Sequence, residues 1–457
     1  MGCYHIELQL RLDLCVDDSR KGWSFIMNIL IKEILTLLPK SDNSNEFEVK
    51  NCSVYIKNGV IESVTTEPDG FKADKTIHGS GKLLIPGLIN AHTHASMSLL
   101  RNCADDLLFD EWLFGKILPL EDKFTGKDCY WGTLLAIMEM LKTGTTSFID
   151  MYYFMDDIAS AVDESGIRAV LSRGLVSADD PSVGETKLRE ALEALEKWKD
   201  HERISFMLAP HAPYTCDEGY QRIVASEAKR LDLRINTHIS ESLTEIENIK
   251  KSYGCSPVEI LDKTGLLTDK TVGAHCVHLS DNDIKILAER GVCVVTNPVS
   301  NLKLANGIAP IPKLLKAGIK VALGTDGASS NNALNMFREL SILALIHKGA
   351  NHDPLAVTAC EGISIATKGG AVAMGRNDLG VIKPGNVADL AILSLDSPNM
   401  QPCNNLVSSL AYSTNGSEVE TVIVGGRVVM ENREFLTIDS ERVYHEVSKI
   451  CERIGTR

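Results

Sequence analysis

Short apolar runs separated by turn residues occupy both ends of the chain. The stretch 53–64 alternates apolar with polar residues, and Asn58-Gly59 in its middle is typical of a two-residue β-hairpin turn. A second hairpin pattern surrounds Gly425-Gly426 near the C terminus. We therefore expect one small β-sandwich domain built from both ends, residues 27–87 and residues 380–457, the latter part also carrying a C-terminal helix.

The middle of the chain, residues 88–379, alternates short apolar runs with stretches of helical periodicity. The apolar runs predict eight buried strands that end at Asn90, Asp150, Gly174, Pro210, Thr237, Ala274, Thr296 and Gly324. Helical patterns lie between them, for example at Tyr130–Lys142, Lys187–Lys199 and Asp281–Arg290. Eight such units predict the α/β class and a (β/α)8 TIM barrel, in which functional residues follow the carboxyl ends of the strands.

The first 26 residues show no clear period, and we expect an extension that is either disordered or not native to the fold. They carry several charges and lack the apolar core of a secretory signal. No apolar run in the sequence reaches the roughly 18 residues that a membrane-spanning helix needs. The sequence therefore predicts a protein without a membrane partner.

Composition narrows the partners and the compartment. The formal net charge of −14 argues against binding to nucleic acid or to anionic membranes. The 12 cysteines are scattered without a C-x-x-C pair, and a chain of 457 residues is far too long for a disulfide-stapled mini-fold. We expect a reducing, cytoplasmic environment and a small-molecule partner.

Histidines supply the candidate chemistry. His92 and His94 stand one residue apart behind an apolar strand, so their side chains project from the same face. His238 follows the fifth predicted strand and Asp326 the eighth. One histidine at a strand end is usually structural, but five at strand ends with an aspartate are hard to explain in that way. We predict that His92, His94, His238 and Asp326 bind one divalent metal, with Zn²⁺ the first choice and Fe²⁺ or Mn²⁺ as alternatives.

Two further residues are predicted to handle protons beside that metal. His275 follows the sixth strand and is expected to hold the metal-bound water and to stabilise the developing oxyanion. Asp326 could also accept the proton of that water. Glu241, three residues after His238, is expected to carry a proton from the water to a ring nitrogen and then to a leaving amine. The alternative for Glu241 is a glutamate that only stabilises the start of a helix.

These residues carry a resemblance to a known family. The pattern His92-x-His94, His238, His275 and Asp326 resembles the amidohydrolase superfamily, in the mononuclear branch that holds cytosine, guanine and adenosine-type deaminases and the s-triazine hydrolases. Dinuclear members usually carry a carboxylated lysine where this chain has His211. Longer motifs, Asn90 to Ala95, Asn297 to Gly307 and Gly324 to Asn332, are similar to the 5′-methylthioadenosine/S-adenosylhomocysteine deaminases over nearly all of residues 27–440.

The resemblance implies substrate-binding roles for several residues. Glu121 would bind the ribose hydroxyls, His211 would contact the substrate near the purine or ribose, and Glu241 would bind as well as catalyse. Arg173 would line the pocket and favour the anionic end of an amino-acid tail. The alternatives are an ordinary surface glutamate, a histidine bonded to backbone and a salt bridge at the barrel rim. Lys187 stands where the family often has a second arginine, and lysine lacks the planar bidentate contact with a carboxylate.

The predicted reaction is the metal-dependent hydrolytic deamination of the 6-amino group of a 5′-modified adenosine. Because Lys187 replaces an arginine, 5′-methylthioadenosine, 5′-deoxyadenosine and adenosine are as plausible as S-adenosylhomocysteine. Guanine deaminase and s-triazine chlorohydrolase activity on the same metal site are alternatives, as is a catalytically silent binding protein on a barrel scaffold. The resemblance also suggests a homo-oligomer.

Overall fold

The computed structural model describes residues 27–41, 44–177 and 181–456. The predicted extension, residues 1–26, lies outside the described residues. The strands, in chain order, are β1 Ile29–Pro39, β2 Phe47–Lys57, β3 Val60–Val64, β4 Lys75–His78, β5 Lys82–Pro86, β6 Leu88–Thr93, β7 Thr145–Tyr152, β8 Arg168–Leu175, β9 Ile204–Phe206, β10 Ala209–Pro210, β11 Ile235–Ile239, β12 Thr271–His275, β13 Cys293–Thr296, β14 Lys320–Leu323, β15 Leu390–Ser394, β16 Val419–Val424, β17 Arg427–Glu431 and β18 Glu434–Phe435.

Strands from both ends of the chain join in one sheet. The order is β18-β17-β16-β15-β5-β1-β2-β3, with β4 paired to β1, so β5 and β15 form the seam between the two ends. The two predicted hairpins meet across this unit. A Cβ on Gly59, whose φ is +80°, would lie 2.8 Å from the carbonyl oxygen of Gly425, so the turn requires glycine. The β-rich unit has its own apolar core, which includes Ile31, Ile56 and Ile392.

The strands between β5 and β15 form the predicted parallel barrel. Strands β6 to β10 make one sheet and β11 to β14 another, and the fourth barrel strand is interrupted between β9 and β10. Backbone hydrogen bonds join the two sheets, from His238 N–H to the His211 carbonyl (2.9 Å) and from Asp326 N–H to the His92 carbonyl (2.9 Å). The α/β barrel with a β-rich unit is therefore confirmed, while the domain boundaries at 87/88 and 379/380 stay a prediction.

A side-chain seam supports the closure between the first and the last barrel strand. The Asn90 amide donates to the Thr325 hydroxyl (2.7 Å), and the Thr325 N–H donates to the Asn90 side-chain oxygen (2.9 Å). Both residues are fully buried. Because buried polar groups must find partners, this reciprocal pair fixes the relative position of the two strands that carry His92 and Asp326.

Helices connect the strands and cover the barrel. Their bounds are Ala95–Leu100, Phe109–Trp112, Leu113–Ile117, Leu118–Glu121, Gly126–Lys142, Met155–Ser165, Pro181–Trp198, Glu218–Leu231, Leu243–Tyr253, Pro257–Thr264, Asp281–Arg290, Pro298–Lys303, Ile311–Lys316, Ala328–Asn331, Met336–Asn351, Ala359–Ser364, Ile365–Gly369, Gly370–Ala373, Pro398–Met400, Leu406–Tyr412 and Ser440–Ile454. Across the described ranges, none of these helices combines the length and the apolar character needed to cross a membrane.

Most of the barrel strands are buried along their whole length, although several of them carry polar residues. Every residue of β6, β7, β11, β12 and β13 is buried, as expected for a parallel sheet covered on both faces. Side chains from six strands pack into one cluster, which includes Ile89, Ile149, Val170, Val272, Val295 and Ala322. The polar side chains of interest come later in the same strands or directly after them.

A buried ion pair fastens the barrel to the β-rich unit. Arg168 on β8 donates two hydrogen bonds to the carboxylate of Asp389 (2.8 and 3.2 Å), and the Gly425 N–H donates a third (2.6 Å). Arg168 is 4% exposed and Asp389 is 5% exposed. The carboxylate therefore satisfies groups from both parts of the molecule.

We expect Asp389→Ala to lower the free energy of unfolding by about 3–5 kcal/mol, because it leaves a buried guanidinium without a counter-charge. Urea unfolding would measure this. Asp281→Ala is the matched control, since the Asp281–Lys313 pair is well exposed and exposed pairs contribute about 1 kcal/mol or less. Equal losses in the two variants would contradict the structural role of the buried pair.

Candidate metal centre and substrate cavity

Side chains from distant parts of the chain converge at the carboxyl ends of the barrel strands. His92 lies in β6, His238 in β11, and His275 ends β12, while Asp326 follows β14. Asp326 Oδ1 lies 3.2 Å from His94 Nε2 and 3.6 Å from His92 Nε2. The His92 ring centroid lies 5.0 Å from that of His94, 4.9 Å from that of His238 and 5.5 Å from that of His275. The structure thus brings together all the residues predicted to surround the metal.

The donor set fits a divalent cation. The ligating atoms of His92, His94 and His238 lie within 4.8 Å of one another, as do those of His92, His275 and Asp326. Both ring nitrogens of His92 are buried and have no hydrogen-bond partner among the described residues. Such a group is costly unless something satisfies it. Imidazole nitrogens with a carboxylate oxygen are the ligands that zinc and similar ions prefer.

Hydrogen bonds orient the predicted ligands so that the remaining ring nitrogen or carboxylate oxygen of each side chain faces the centre of the cluster. His94 Nδ1 donates to the Met151 carbonyl (2.6 Å), and His238 Nδ1 donates to the His211 carbonyl (2.8 Å). Each ring therefore presents Nε2 to the centre. Asp326 Oδ2 accepts hydrogen bonds from the hydroxyls of Ser300 (2.6 Å) and Ser330 (2.7 Å), which leaves Oδ1 for the cluster.

The backbone at this site is constrained as well. His275 and Asp326 have φ values of +71° and +62°, a conformation that residues other than glycine rarely adopt and that marks functional sites. A Cβ on Gly324 would lie 2.9 Å from the His92 backbone nitrogen and 2.5 Å from Asn297 Oδ1. Only glycine therefore allows the eighth strand to end so close to the first.

The electrostatics of the cluster favour neutral His92 and His238 rings beside a negative carboxylate. Burial lowers the pKa of His92 to about 4 and takes the pKa of His238 well below its usual value. Burial also acts to lower the pKa of His94, but its hydrogen bond to Asp326 and the charge of that carboxylate raise it to about 9. Burial would raise the pKa of Asp326, yet its close contacts with the His92 and His94 rings hold it well below its usual range. A divalent cation would displace the proton that His94 otherwise carries beside Asp326.

Glu241 faces the cluster from the loop after β11. Its Oε2 lies 3.8 Å from His275 Nε2, and its Oε1 accepts a hydrogen bond from the Asn306 amide (3.1 Å). Burial raises the pKa of Glu241. The next helix begins without its help, because the Ser242 side chain caps that helix. The Glu241 carboxyl is thus directed towards the cavity and away from the helix start.

A cavity opens above the cluster, and its empty volume, open solvent at its mouth included, is about 800 Å³. The segment 109–121 supplies an apolar and aromatic wall. The lining residues are His94, Met97, Phe109, Trp112, Leu113, Leu118, Glu121, Met151, Tyr152, Tyr153, Gly174, Val176, Lys187, His211, Tyr214, His238, Glu241, His275, Asp326 and Ser330.

Three of the predicted substrate-binding residues line this cavity besides Glu241. Glu121 is 6% exposed and accepts a hydrogen bond from the Tyr152 hydroxyl, and burial raises its pKa to about 7. Burial lowers the pKa of His211 to about 3, and its ring centroid lies 4.6 Å from that of His238. Burial also lowers the pKa of Lys187. Within the described residues, Lys187 is the one lysine or arginine among the lining side chains.

Arg173 occupies a different position from the one expected. Its Nε donates to Glu190 (3.1 Å), and its guanidinium lies 5.1 Å from the centroid of the Tyr153 ring. These contacts are those of a salt bridge at the barrel rim, and Arg173 is not among the lining residues. Its predicted contact with an anionic tail stays a prediction.

Several residues of the site have no role that the sequence alone predicts. Ser300 and Ser330 hold Asp326, and Asn306 holds Glu241. Tyr152 holds Glu121. For Tyr152 a signal was available, because it stands two residues after Asp150 at the end of a predicted barrel strand.

Comparison with known proteins identifies a family and relatives of this chain. The model of the amidohydrolase family matches residues 83–429. A 5-methylthioadenosine/S-adenosylhomocysteine deaminase from Caldanaerobacter subterraneus subsp. tengcongensis is 46% identical over 431 residues, which cover 94% of this chain and 99% of the relative.

Solved structures agree with this relationship. A zinc-bound adenosine deaminase from Xanthomonas campestris superposes with a TM-score of 0.89 at 33% identity, covering 94% of this chain and 99% of that one. An atrazine chlorohydrolase from Arthrobacter aurescens, complexed with zinc, superposes with a TM-score of 0.86 at 25% identity, covering 92% of this chain and 99% of that one. The shared fold therefore extends through both the barrel and the β-rich unit.

Proposed function

The chain belongs to the amidohydrolase family, and we propose that it deaminates the 6-amino group of 5′-modified adenosines. The substrates are 5′-methylthioadenosine, S-adenosylhomocysteine, 5′-deoxyadenosine and adenosine, and the products are the inosine analogue and ammonia. One observation carries the proposal: a single cavity joins the His/Asp cluster and Glu241 at its base to a separate buried carboxylate, Glu121, on its wall. That second carboxylate suits a sugar diol, which neither guanine nor a triazine possesses. The names of the curated relatives support the same reaction.

The metal site would supply the nucleophile. His92, His94, His238 and Asp326 would hold a divalent cation, which would lower the pKa of a water there so that it can act as a nucleophile at neutral pH. We favour zinc, because similar structures contain it, with iron or manganese as the alternatives for this donor set.

The residues of the chain itself would then move the protons. His275 donates its Nδ1–H to Asn301 (2.9 Å), so its Nε2 faces the reacting centre and can hold the water and the developing oxyanion. Glu241 accepts one proton of the water and delivers it to the ring nitrogen beside C6. It then takes the remaining proton of the attacking oxygen and passes it to the amine. A C–O bond forms at C6, the C–N bond breaks, and ammonia leaves.

The cavity wall would orient the nucleoside and exclude water. Phe109 and Trp112 present aromatic surface to the purine, while Glu121 accepts the ribose hydroxyls. Lys187 is among the lining residues and would meet the 5′ substituent. Its single ammonium would give a modest preference for a carboxylate-bearing tail, since it cannot form the bidentate contact of arginine.

A panel of substrates tests the function. We expect ammonia release from adenosine, 5′-deoxyadenosine, 5′-methylthioadenosine and S-adenosylhomocysteine, and none from guanine. Atrazine, followed by chloride release, tests the triazine alternative. Activity on guanine or atrazine with none on the adenosines would overturn the proposal. Protein without a bound divalent ion, and inactive after loading with zinc or manganese, would instead indicate a binding protein.

The proposal extends to the oligomeric state and the cellular compartment of the protein. We infer a homo-oligomer from the family resemblance, to be tested by light scattering. The cysteines in the described part of the chain are all free, several of them buried, which supports a reducing compartment such as the cytoplasm.

A further inference from the structure

A buried tyrosine touches the carboxylate that is proposed to bind the sugar. Glu121 ends the short helix Leu118–Glu121 in the cavity wall, and Tyr152 ends β7, the second barrel strand. The Tyr152 hydroxyl donates a hydrogen bond to Glu121 Oε1. The two residues are 6% and 3% exposed, and both line the cavity.

We propose that Tyr152 is a positioning residue that sets the preference for ribose by holding the Glu121 carboxylate where it accepts the 2′- and 3′-hydroxyls of the nucleoside. The inference rests on the proposed function, because it assumes that a nucleoside occupies the cavity. Selectivity for the sugar would then depend on two residues, Glu121 in the segment 109–121 and Tyr152 on the second barrel strand.

The hydrogen bonds of Glu121 support this assignment. Among the described residues, Tyr152 is the only side chain that bonds to the Glu121 carboxylate, through Oε1, and no partner of Oε2 is found there. A carboxylate has about four lone-pair sites, so one oxygen can be fixed by the phenol while the other stays available to a ligand. Without the phenol, no side-chain hydrogen bond within the described residues would fix the orientation of this carboxylate.

The surroundings of the pair explain why the phenol is needed. Glu121 is buried beside apolar wall residues, and an ionised carboxylate in such a place is stable only if it is hydrogen-bonded. The Tyr152 hydroxyl itself remains a donor, because burial and the neighbouring Glu121 charge raise its pKa well above the usual value. Its geometry is anchored by the barrel, since Tyr152 pairs with Arg173 in the β7–β8 ladder and its ring centroid lies 4.9 Å from that of Tyr153.

The adjacent tyrosine provides a matched control. Tyr153 also lines the cavity and is buried enough that its pKa rises. No hydrogen bond of its hydroxyl is found among the described residues, and its ring packs under the Arg173 guanidinium, a contact that phenylalanine would keep. Tyr153→Phe thus removes the same atom from the same cavity without touching Glu121.

The test compares adenosine with 2′,3′-dideoxyadenosine, which differ only in the two hydroxyls. With the metal-loaded enzyme, Tyr152→Phe should raise KM for adenosine about five- to tenfold, the range expected when a hydrogen bond that orients a charged group is lost. The value of kcat should change less than about twofold, and kcat/KM for the dideoxy substrate should stay the same. Tyr153→Phe should leave the ratio between the two substrates unchanged.

The other outcomes separate the possible failures. Equal losses on both substrates would mean a purely structural Tyr152 and would overturn the inference. If Tyr152→Phe is poorly folded, Glu121→Gln breaks the pair from the other side and must show the same selective loss on adenosine; a loss on both substrates would again overturn it. A wild-type enzyme that releases no ammonia from any nucleoside would refute the proposed function itself.

Discussion

Replacing Glu241 by glutamine is expected to lower kcat by about 10²- to 10⁴-fold, the range over which a positioned proton carrier contributes. Glutamine keeps the size of the side chain and can keep a contact with the Asn306 amide group, but it cannot accept and return a proton. KM should change little, because the substitution leaves the cavity wall intact. Steady-state kinetics with 5′-methylthioadenosine would measure both constants.

The pH profile adds a signature that a structural defect would not give. Glu241 must be ionised in the free enzyme to accept a proton, and burial raises its pKa. Wild-type kcat/KM should therefore fall as the pH drops through a value above the usual glutamate range of about 4.3. Glu241→Gln should lack this acid limb. Glu247→Gln, at an exposed position of the following helix, is the control, and an unchanged kcat in Glu241→Gln would refute the proton-carrying role.

Replacing His238 by asparagine should remove the metal and lower activity by about a thousandfold or more. The cation is expected to contribute several kcal/mol of transition-state stabilisation, and each 1.4 kcal/mol corresponds to about a tenfold change in rate. The metal content of the purified variant, measured by plasma emission spectroscopy, should fall well below one ion per chain. Treatment of the wild type with a chelator should have the same effect, and added zinc should restore only the wild type.

His211 provides the matched control for this experiment. Its ring centroid lies 4.6 Å from that of His238, and it lines the same cavity. It belongs to neither group of potential ligands. His211→Asn should therefore keep one metal per chain while binding substrate less well. A His211 variant that loses the metal, or a His238 variant that retains it, would contradict the predicted ligand set.

The convergence of the metal cluster could be predicted because it follows from regular geometry. His92 and His94 share a face since side chains on a strand alternate, and His238, His275 and Asp326 meet them since parallel strands of a closed barrel end at one face. These inferences need only the strand pattern, and the structure places the five residues together. Their individual roles depend on the metal and stay predictions.

The wall of the cavity could not be predicted in the same way. Glu121 meets Tyr152 only because the irregular segment 109–121 folds over the barrel mouth, and no period in the sequence specifies that path. Arg173 is paired with Glu190 because the helix Pro181–Trp198 packs beside β8. Such contacts depend on the packing between elements, which overrides any local pattern. The hairpin patterns predicted β-rich ends, but the joining of these strands into one continuous sheet depends on the β5–β15 pairing.

The seam between Asn90 and Thr325 has a consequence for biosynthesis. These residues are 235 positions apart in the chain, and the same seam joins the strand bearing His92 and the loop bearing Asp326. A nascent polypeptide still missing its eighth barrel strand on the ribosome carries three imidazoles without their carboxylate. The complete predicted ligand set therefore exists only after the eighth strand has been made and the barrel has closed, so we expect the metal to bind late in biosynthesis.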